Sequence, residues 1–331
     1  MRGILVIALA AGAVIVTALL FTLTDLSPMR KGGLGERRVG VLSEHAPASF
    51  ETHFSGLAAA LDDRYALEEV NLGTPDALDG LDVLIVLGPG HIPDAQLFEI
   101  DQFIMRGGRA AFLLDGASVS ADRMAATVVR GNLFAYAEAY GATVNPDLVV
   151  DPLNGSASYP DAAGRPYAFW PAGTAQPGSR DGVRLPDAGD VVFAWTSSVS
   201  LSDRLPKTAA ASVVARSTGD AWTTIAFADL DPTVTPKRTP DGPFDEVETT
   251  DGLGLAVAIE GTLVSAFDGM PVIVEREGGS VEFTDPPGRL ARSEPTRVFV
   301  AGSSRMFDDF VLGSAPANLE FLLSAVEWLA R

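Results

Sequence analysis

Three loops in this sequence carry residue types that could do chemistry. Gly88-Pro89-Gly90-His91 follows an apolar run, where α/β proteins place phosphate-cradling turns. It lacks the third glycine of a dinucleotide fingerprint and the Lys-Ser/Thr of a P-loop, and Pro89 removes a backbone donor. A plain strand-to-helix turn is expected there. Leu114-Asp115-Gly116-Ala117-Ser118 stands where an α/β hydrolase or a class I amidotransferase-like protein carries its nucleophile elbow. The Gly-x-Ser-x-Gly spacing is missing, and no histidine follows Ser118 to serve as its base, so an elbow without catalysis is expected. Gly302-Ser303-Ser304, with Asp308-Asp309 downstream, could line a small polar pocket and reads by default as a helix-capping turn. His45 and His53 are eight positions apart, too far for a metal pair one helical turn apart. Asp241, Asp245, Glu246, Glu248 and Asp251 form the densest acidic cluster, but not in the order of a calcium-binding loop, so a solvated loop is expected. These residues predict no catalytic constellation, metal or cofactor. The one candidate site is a cleft made by Gly88, Gly90, His91, Asp115, Ser118, Ser303 and Ser304.

Those loops need a scaffold, and the apolar pattern predicts one. Arg38–Ser43, Tyr65–Leu72, Leu81–Leu87 and Arg109–Leu114 read as strands, the last two as continuous apolar runs buried on both faces. Between them Ala48–Leu61 and Asp94–Met105 read as helices, followed by a helix over Gly131–Tyr140 and a short strand over Asp147–Val150. This βαβ alternation predicts a Rossmann- or flavodoxin-like parallel sheet. From Pro152 the chain turns rich in Gly, Pro, Ser and Asp, with strands predicted at Val191–Trp195, Ser212–Arg216, Trp222–Ala228, Leu253–Ile259 and Val272–Val274. Thr296–Ala301 and Ala315–Ala330 then read as a buried strand and a helix that return to the first sheet. The expected organisation is an anchor over 1–25, a linker over 26–37, an α/β domain over 38–151 completed by 291–331, and a β-rich insertion over 152–290.

The anchor is Ile4–Thr24, 21 residues without a charge, which as a helix would span about 31 Å and match a hydrocarbon core of ~30 Å. Its length, and the lack of an Ala-x-Ala site before a polar start, predict an uncleaved transmembrane helix rather than a signal peptide. Arg30, Lys31, Arg37 and Arg38 after the helix outnumber Arg2 before it, so charge alone slightly favours a cytoplasmic body. Of the 331 residues, 47% are apolar and 20% charged, enough for a sizeable core. Residues 1–38 hold five basic side chains and two acidic ones, which leaves 41 acidic and 19 basic residues beyond them, a net charge of −22. Such a body is repelled by phosphate backbones, so nucleic acid is not expected as a partner. The sequence has no cysteine, which excludes disulfides, thiolate nucleophiles and Cys-based zinc sites.

Five stretches in order resemble the GldG-like auxiliary components of ABC-type transport systems, named for gliding motility. They are Leu81–Asp115, with a strand and then a helix ending in Gly107-Gly108, followed by Tyr140–Asp151, Phe193–Leu201, Leu253–Phe267 and Val298–Leu329. The resemblance implies an intraflagellar-transport-like (GIFT) α/β domain, related in fold to class I amidotransferases but without their catalytic residues. It implies an ABC-2-type permease and its cytoplasmic ATPase as partners. It also implies a single-pass protein of the bacterial inner membrane with its body outside the cytoplasm, against the slight charge preference. Relatives commonly end in a second transmembrane helix, and this sequence stops at Arg331 without one.

The expected function is therefore that of a non-catalytic accessory subunit that couples a permease to extracytoplasmic cargo or envelope partners. The alternative is an extracytoplasmic solute- or glycan-binding module using the cleft at the carboxyl ends of the strands, where open α/β sheets bind ligands. A hydrolase using Ser118 or Ser303 is the third reading, and it requires a histidine such as His45 or His91 within reach of the serine.

Overall fold

Apolar runs without a polar break suit strands buried on both faces, and the centre of the sheet is built from them. In the computed structural model, residues 37–43, 50–88, 91–120, 124–129, 131–153, 155–156, 159, 165–175, 191–224, 227–234, 236, 251–276 and 279–331 are described. Strands β1 (Arg38–Leu42), β2 (Ala66–Glu69), β3 (Val83–Leu87), β4 (Arg109–Leu113), β5 (Thr174–Ala175), β6 (Ala209–Arg216), β7 (Gly254–Gly261) and β8 (Thr296–Ala301) form one eight-stranded sheet. Its order is β5-β6-β7-β8-β4-β3-β1-β2. The half running β2-β1-β3-β4-β8 is parallel, with the strand order of a flavodoxin-like sheet. The other half, β7, β6 and β5, continues it antiparallel from β8.

Helices cover both faces. The helices are α1 (Ser55–Asp62), α2 (Asp94–Met105), α3 (Leu133–Tyr140), α4 (Asp309–Leu312) and α5 (Ala317–Ala330). Leu84, Val86, Ala110, Phe112, Val298 and Val300 point to the face that packs with α2 and α3. Their neighbours in the period-two alternation meet α5, where Phe299 and Phe321 contact edge to face at 5.8 Å. Asp101 of α2 is fully buried and accepts four hydrogen bonds, from the Tyr140 hydroxyl of α3, Ser265 Oγ, the Ala266 amide and Gln102 Nε2. It fastens both helices of that layer to the segment after β7.

Two elements, α2 and β8, match expectation to the residue, and β1, β3, β4 and α5 do so within two residues. Others depart for physical reasons. The helix expected over 48–61 is two helices, Phe50–His53 and α1, with Phe54 between them outside helical geometry. The start of α1 is held by Asp309, whose carboxylate accepts from the Ser55 amide, Ser55 Oγ and the Gly56 amide. The strand expected over Val191–Trp195 is a correction. Its backbone does bond to 169–173, from the Gly173 amide to the Val191 carbonyl, from the Phe193 amide to Pro171 and from the Trp195 amide to Phe169. The pairing amounts to one bridge, Val192 to Ala172, because the chain turns at Ala194–Trp195, and Asn318 from α5 takes the outward amide and carbonyl of Val192. The strand expected over Trp222–Ala228 divides into Trp222–Thr224, paired with Leu148–Val150, and Phe227–Asp229, paired with Ala125–Val128. Within 152–290, expected as an insertion, β5, β6 and β7 belong to the main sheet. Among the described residues no helix is long and apolar enough to cross a membrane. The expected anchor, the linker as far as Glu36, His45, Gly90 and the acidic cluster from Asp241 to Glu248 lie outside the described residues.

Candidate functional site

The carboxyl ends of β4 and β8 lie side by side, and the loops that follow them bring Asp115, Ser303 and Ser304 together as the cleft reading requires. Their polar atoms, however, are bonded inside the protein. The Asp115 carboxylate accepts from the Ser304 amide at 2.7 Å and from Ser304 Oγ at 2.6 Å. Ser303 Oγ donates to the Ala194 carbonyl at 2.7 Å. All three residues are at most 2% exposed. Burial raises the Asp115 carboxyl above the ordinary carboxylate range, although the Ser304 hydrogen bonds and Arg305 pull it back.

What covers them is the protein's own segment Ala194–Ser198. The Ser197 amide donates to the Gly302 carbonyl, and Ser197 Oγ accepts from the Gly116 amide while donating to the Asp147 carbonyl. Ser198 donates through its amide and its hydroxyl to the Asp147 carboxylate, at 2.8 and 2.7 Å. Gly116 and Gly302 make this approach possible. A Cβ on Gly302 would overlap the Ser197 carbonyl, and one on Gly116 would overlap the Asn145 carbonyl and Ser197 Oγ. The arrangement is a polar latch across the top of the sheet.

The remaining predicted residues are not part of that latch. Gly88 is buried at the end of β3 with φ of 83°, and its amide donates to the Leu113 carbonyl. His91 is exposed beyond it. Ser118 is exposed on the strand Ala117–Ser120, opposite Thr127 of Ala125–Val128. The hydroxyls of Ser303 and Ser304 are both spent as donors in the latch, to the Ala194 carbonyl and to Asp115. Among the described residues no group of three or more His, Asp or Glu side chains is arranged to hold a metal ion.

Beside the latch sits a second core rich in aromatic rings. Tyr159 stacks on Tyr167 at 4.3 Å, Trp170 meets Trp195 edge to face at 5.3 Å, and Arg305 lies 6.0 Å over the Trp195 ring. The rings pack on one another, and Trp195 takes a left-handed backbone, φ of 48°, to turn its side chain in. Sequence reading missed Asp147, Ser197 and Ser198. The available signal was Thr196-Ser197-Ser198, a polar run directly after the large apolar Phe193-Ala194-Trp195, which must bury and carry the hydroxyls inward with it.

The latch carries a pH prediction. Burial pushes the Asp147 carboxyl from the ordinary carboxylate range up to about 7, against the opposing pull of the two Ser198 hydrogen bonds. The folded protein thus keeps a proton that the unfolded chain releases near pH 4. Stability from this group is fully present below that value and declines as pH rises toward 7. Asp147→Asn, which imitates the protonated acid, should flatten the fall in Tm between pH 5 and 8 relative to the parent protein. Equal pH slopes for the two proteins would refute the assignment.

The profile of a family described as an ABC-type uncharacterized transport system, an auxiliary-component family, matches residues 36–325. Among solved structures, the mmIFT52 N-terminal domain superposes with a TM-score of 0.50 and 15% sequence identity, covering 88% of this chain and 96% of that one. At that identity the likeness is one of fold. No curated protein of known annotation matches the sequence.

Proposed function

The chain belongs to that family of auxiliary components of ABC-type transport systems, and from this premise we propose that it is a membrane-anchored, non-catalytic subunit that links a permease to extracytoplasmic cargo or envelope partners. Residues 4–24 anchor it as a single span in the bacterial inner membrane, and the body stands outside the cytoplasm. An ABC-2-type permease holds the anchor, and ATP is hydrolysed on the cytoplasmic ATPase. The observation that supports a contact role most strongly is the latch. At the carboxyl ends of β4 and β8, where the cleft reading places Asp115, Ser303 and Ser304, the space is filled by Ala194–Ser198, and the serine hydroxyls and carboxylates there are spent on internal hydrogen bonds. That filling disfavours a binding or hydrolytic site built on Asp115, Ser303 and Ser304.

Affinity capture of the full-length protein from native membranes in mild detergent, followed by mass spectrometry, tests the proposal. Stoichiometric recovery of a permease and an ATPase is the expected result, and recovery of this chain alone across several detergents would refute it. Ser118→Ala should leave both the capture yield and transport unchanged, because Ser118 is exposed and away from the latch. Loss of transport in a correctly folded and localised Ser118→Ala protein would point back to catalysis.

A further inference from the structure

Eight large apolar side chains stand exposed among the described residues, and four of them, Met270, Val281, Phe283 and Leu290, fall within one short stretch. That clustering marks a surface rather than scattered exposure. Val272–Glu275 and Val281–Thr284 form an antiparallel ribbon whose strands pair, among the described residues, only with each other. Ile273 lies opposite Phe283 and Glu275 opposite Val281, so alternation sets these four on one face. The opposite face packs inward through Val272 and Val274, beside α2. The outward face carries Ile273, Val281 and Phe283, the last 65% exposed, with the exposed Glu275 beside them, and the outer edges of the ribbon offer backbone groups for a further strand.

The segment leaving the ribbon, Pro287–Arg289, lines a cavity of about 290 Å³ together with Asp76, Phe98 and Glu99. Its cations are engaged: Arg289 pairs with Asp285 and donates to the Met270 carbonyl, and Arg106 faces Asp79 at 3.9 Å. Asp76 and Glu99 carry no ion pair or side-chain hydrogen bond among the described residues. Both side chains reach solvent at the rim, and partial desolvation, then the charge of Asp76, push the Glu99 carboxyl upward, which a neighbouring cation would relieve. The charge of the surroundings selects the occupant. A second copy of a chain with net charge −19, or an anionic bilayer, would bring negative charge onto these carboxylates.

We propose that the outer face of the 272–284 ribbon and the adjoining cavity form a docking surface for an extended segment of a partner protein. Its apolar side chains lie on Ile273, Val281 and Phe283, and a lysine or arginine beside them enters between Asp76 and Glu99. This deepens the accessory-subunit reading by giving the chemistry of the partner's contact segment, and it rests on that reading for its biological setting. Peptide binding can fail while capture of the permease succeeds, and the reverse, so the two are separable.

The test uses full-length protein in mild detergent and dye-labelled short peptides alternating valine with lysine or valine with glutamate, read by fluorescence anisotropy. The lysine peptide should bind, weaken as salt rises, and lose about tenfold or more in affinity with Phe283→Ser and with Glu99→Gln. Phe283→Ser should leave Tm unchanged, because the ring is mostly in solvent. Equal binding of the glutamate peptide, or unchanged affinity in Phe283→Ser, would overturn the proposal. So would self-association in solution that Phe283→Ser abolishes, which would make the occupant a second copy. Ser280→Cys supplies the only cysteine in the chain for an environment-sensitive dye. A shift of that dye to an apolar signal on reconstitution into anionic bilayers would make the occupant the membrane and equally overturn the proposal.

Discussion

Asp101→Ala should destabilise the body by about 3–5 kcal/mol, the largest effect expected of any single exposed-to-none substitution in the α2–α3 layer. The carboxylate is fully buried and collects donors from three separate places: the Tyr140 hydroxyl at 2.9 Å, Ser265 Oγ and the Ala266 amide at 2.7 and 2.8 Å, and Gln102 Nε2 at 2.9 Å. Alanine removes the acceptor and leaves the buried Tyr140 hydroxyl and Ser265 Oγ without it, each at a desolvation penalty of about 1–3 kcal/mol, while Gln102 Nε2 keeps its bond to the Leu290 carbonyl. Asp101→Asn keeps one acceptor oxygen and turns a donor toward other donors, so its loss should be intermediate. Urea unfolding followed by tryptophan fluorescence measures both. A loss below about 1 kcal/mol for Asp101→Ala would mean that the donors find other partners and that Asp101 is not the fastening of this layer.

Gly302→Val should cost about 3 kcal/mol or more and should do so through the latch rather than through the sheet. The added carbon would overlap the Ser197 carbonyl and crowd Thr196 Oγ1 at 2.8 Å, and backbone cannot step aside as the end of a flexible side chain can. Relief requires Ala194–Ser198 to lift, which breaks the Ser197 amide bond to Gly302 and disturbs Ser303 and Asp147 in turn. Hydrogen exchange should therefore show lost protection concentrated in 194–198 and 145–150, with β3 and β4 little changed. Uniform loss across all strands would indicate global destabilisation and would remove the latch as a distinct unit. Gly313→Ala is a suitable control, since its nearest neighbours would lie at 3.4 Å or more.

Some of this was legible in the residues. The helix Asp94–Met105 could be bounded because its signals are local: an acidic first turn, apolar residues at helical spacing, and Gly107-Gly108 to end it. The buried strands β3, β4 and β8 were legible because unbroken apolar runs have few other uses. The resemblance in five ordered stretches led to the family that the profile match shows. The return of the last strand and helix to the first sheet was legible too. What failed were readings of local segments whose ends or use are set elsewhere in the fold. Phe193-Ala194-Trp195 has strand composition, and Phe193 and Trp195 do bond to Pro171 and Phe169, but the chain turns there to carry Thr196–Ser198 into the latch. Ala48–Leu61 has helical spacing, but Asp309 starts a fresh helix at Ser55. Gly302-Ser303-Ser304, with Asp308, does cap the turns that follow, since Ser303 Oγ accepts from the Met306 amide and Asp308 from the Val311 amide. What could not be read is that it also forms one half of a closure.

By itself the sequence determined the strongly acidic balance of the body, the exclusion of cysteine chemistry, the apolar strands and helices of the parallel sheet, and the family. Those properties follow from composition and from periods of two and 3.6 residues, which are local. The tertiary structure alone decided that Asp115, Ser303 and Ser304 are closed inside the protein and that the face of the ribbon carrying Phe283 stands open. Asp115 and Ser304 are 189 positions apart, Gly116 and Ser197 81, and Asp147 and Ser198 51. A polar side chain in the sequence declares that it needs a hydrogen-bond partner once buried, but only the packing of the chain determines which group that partner is.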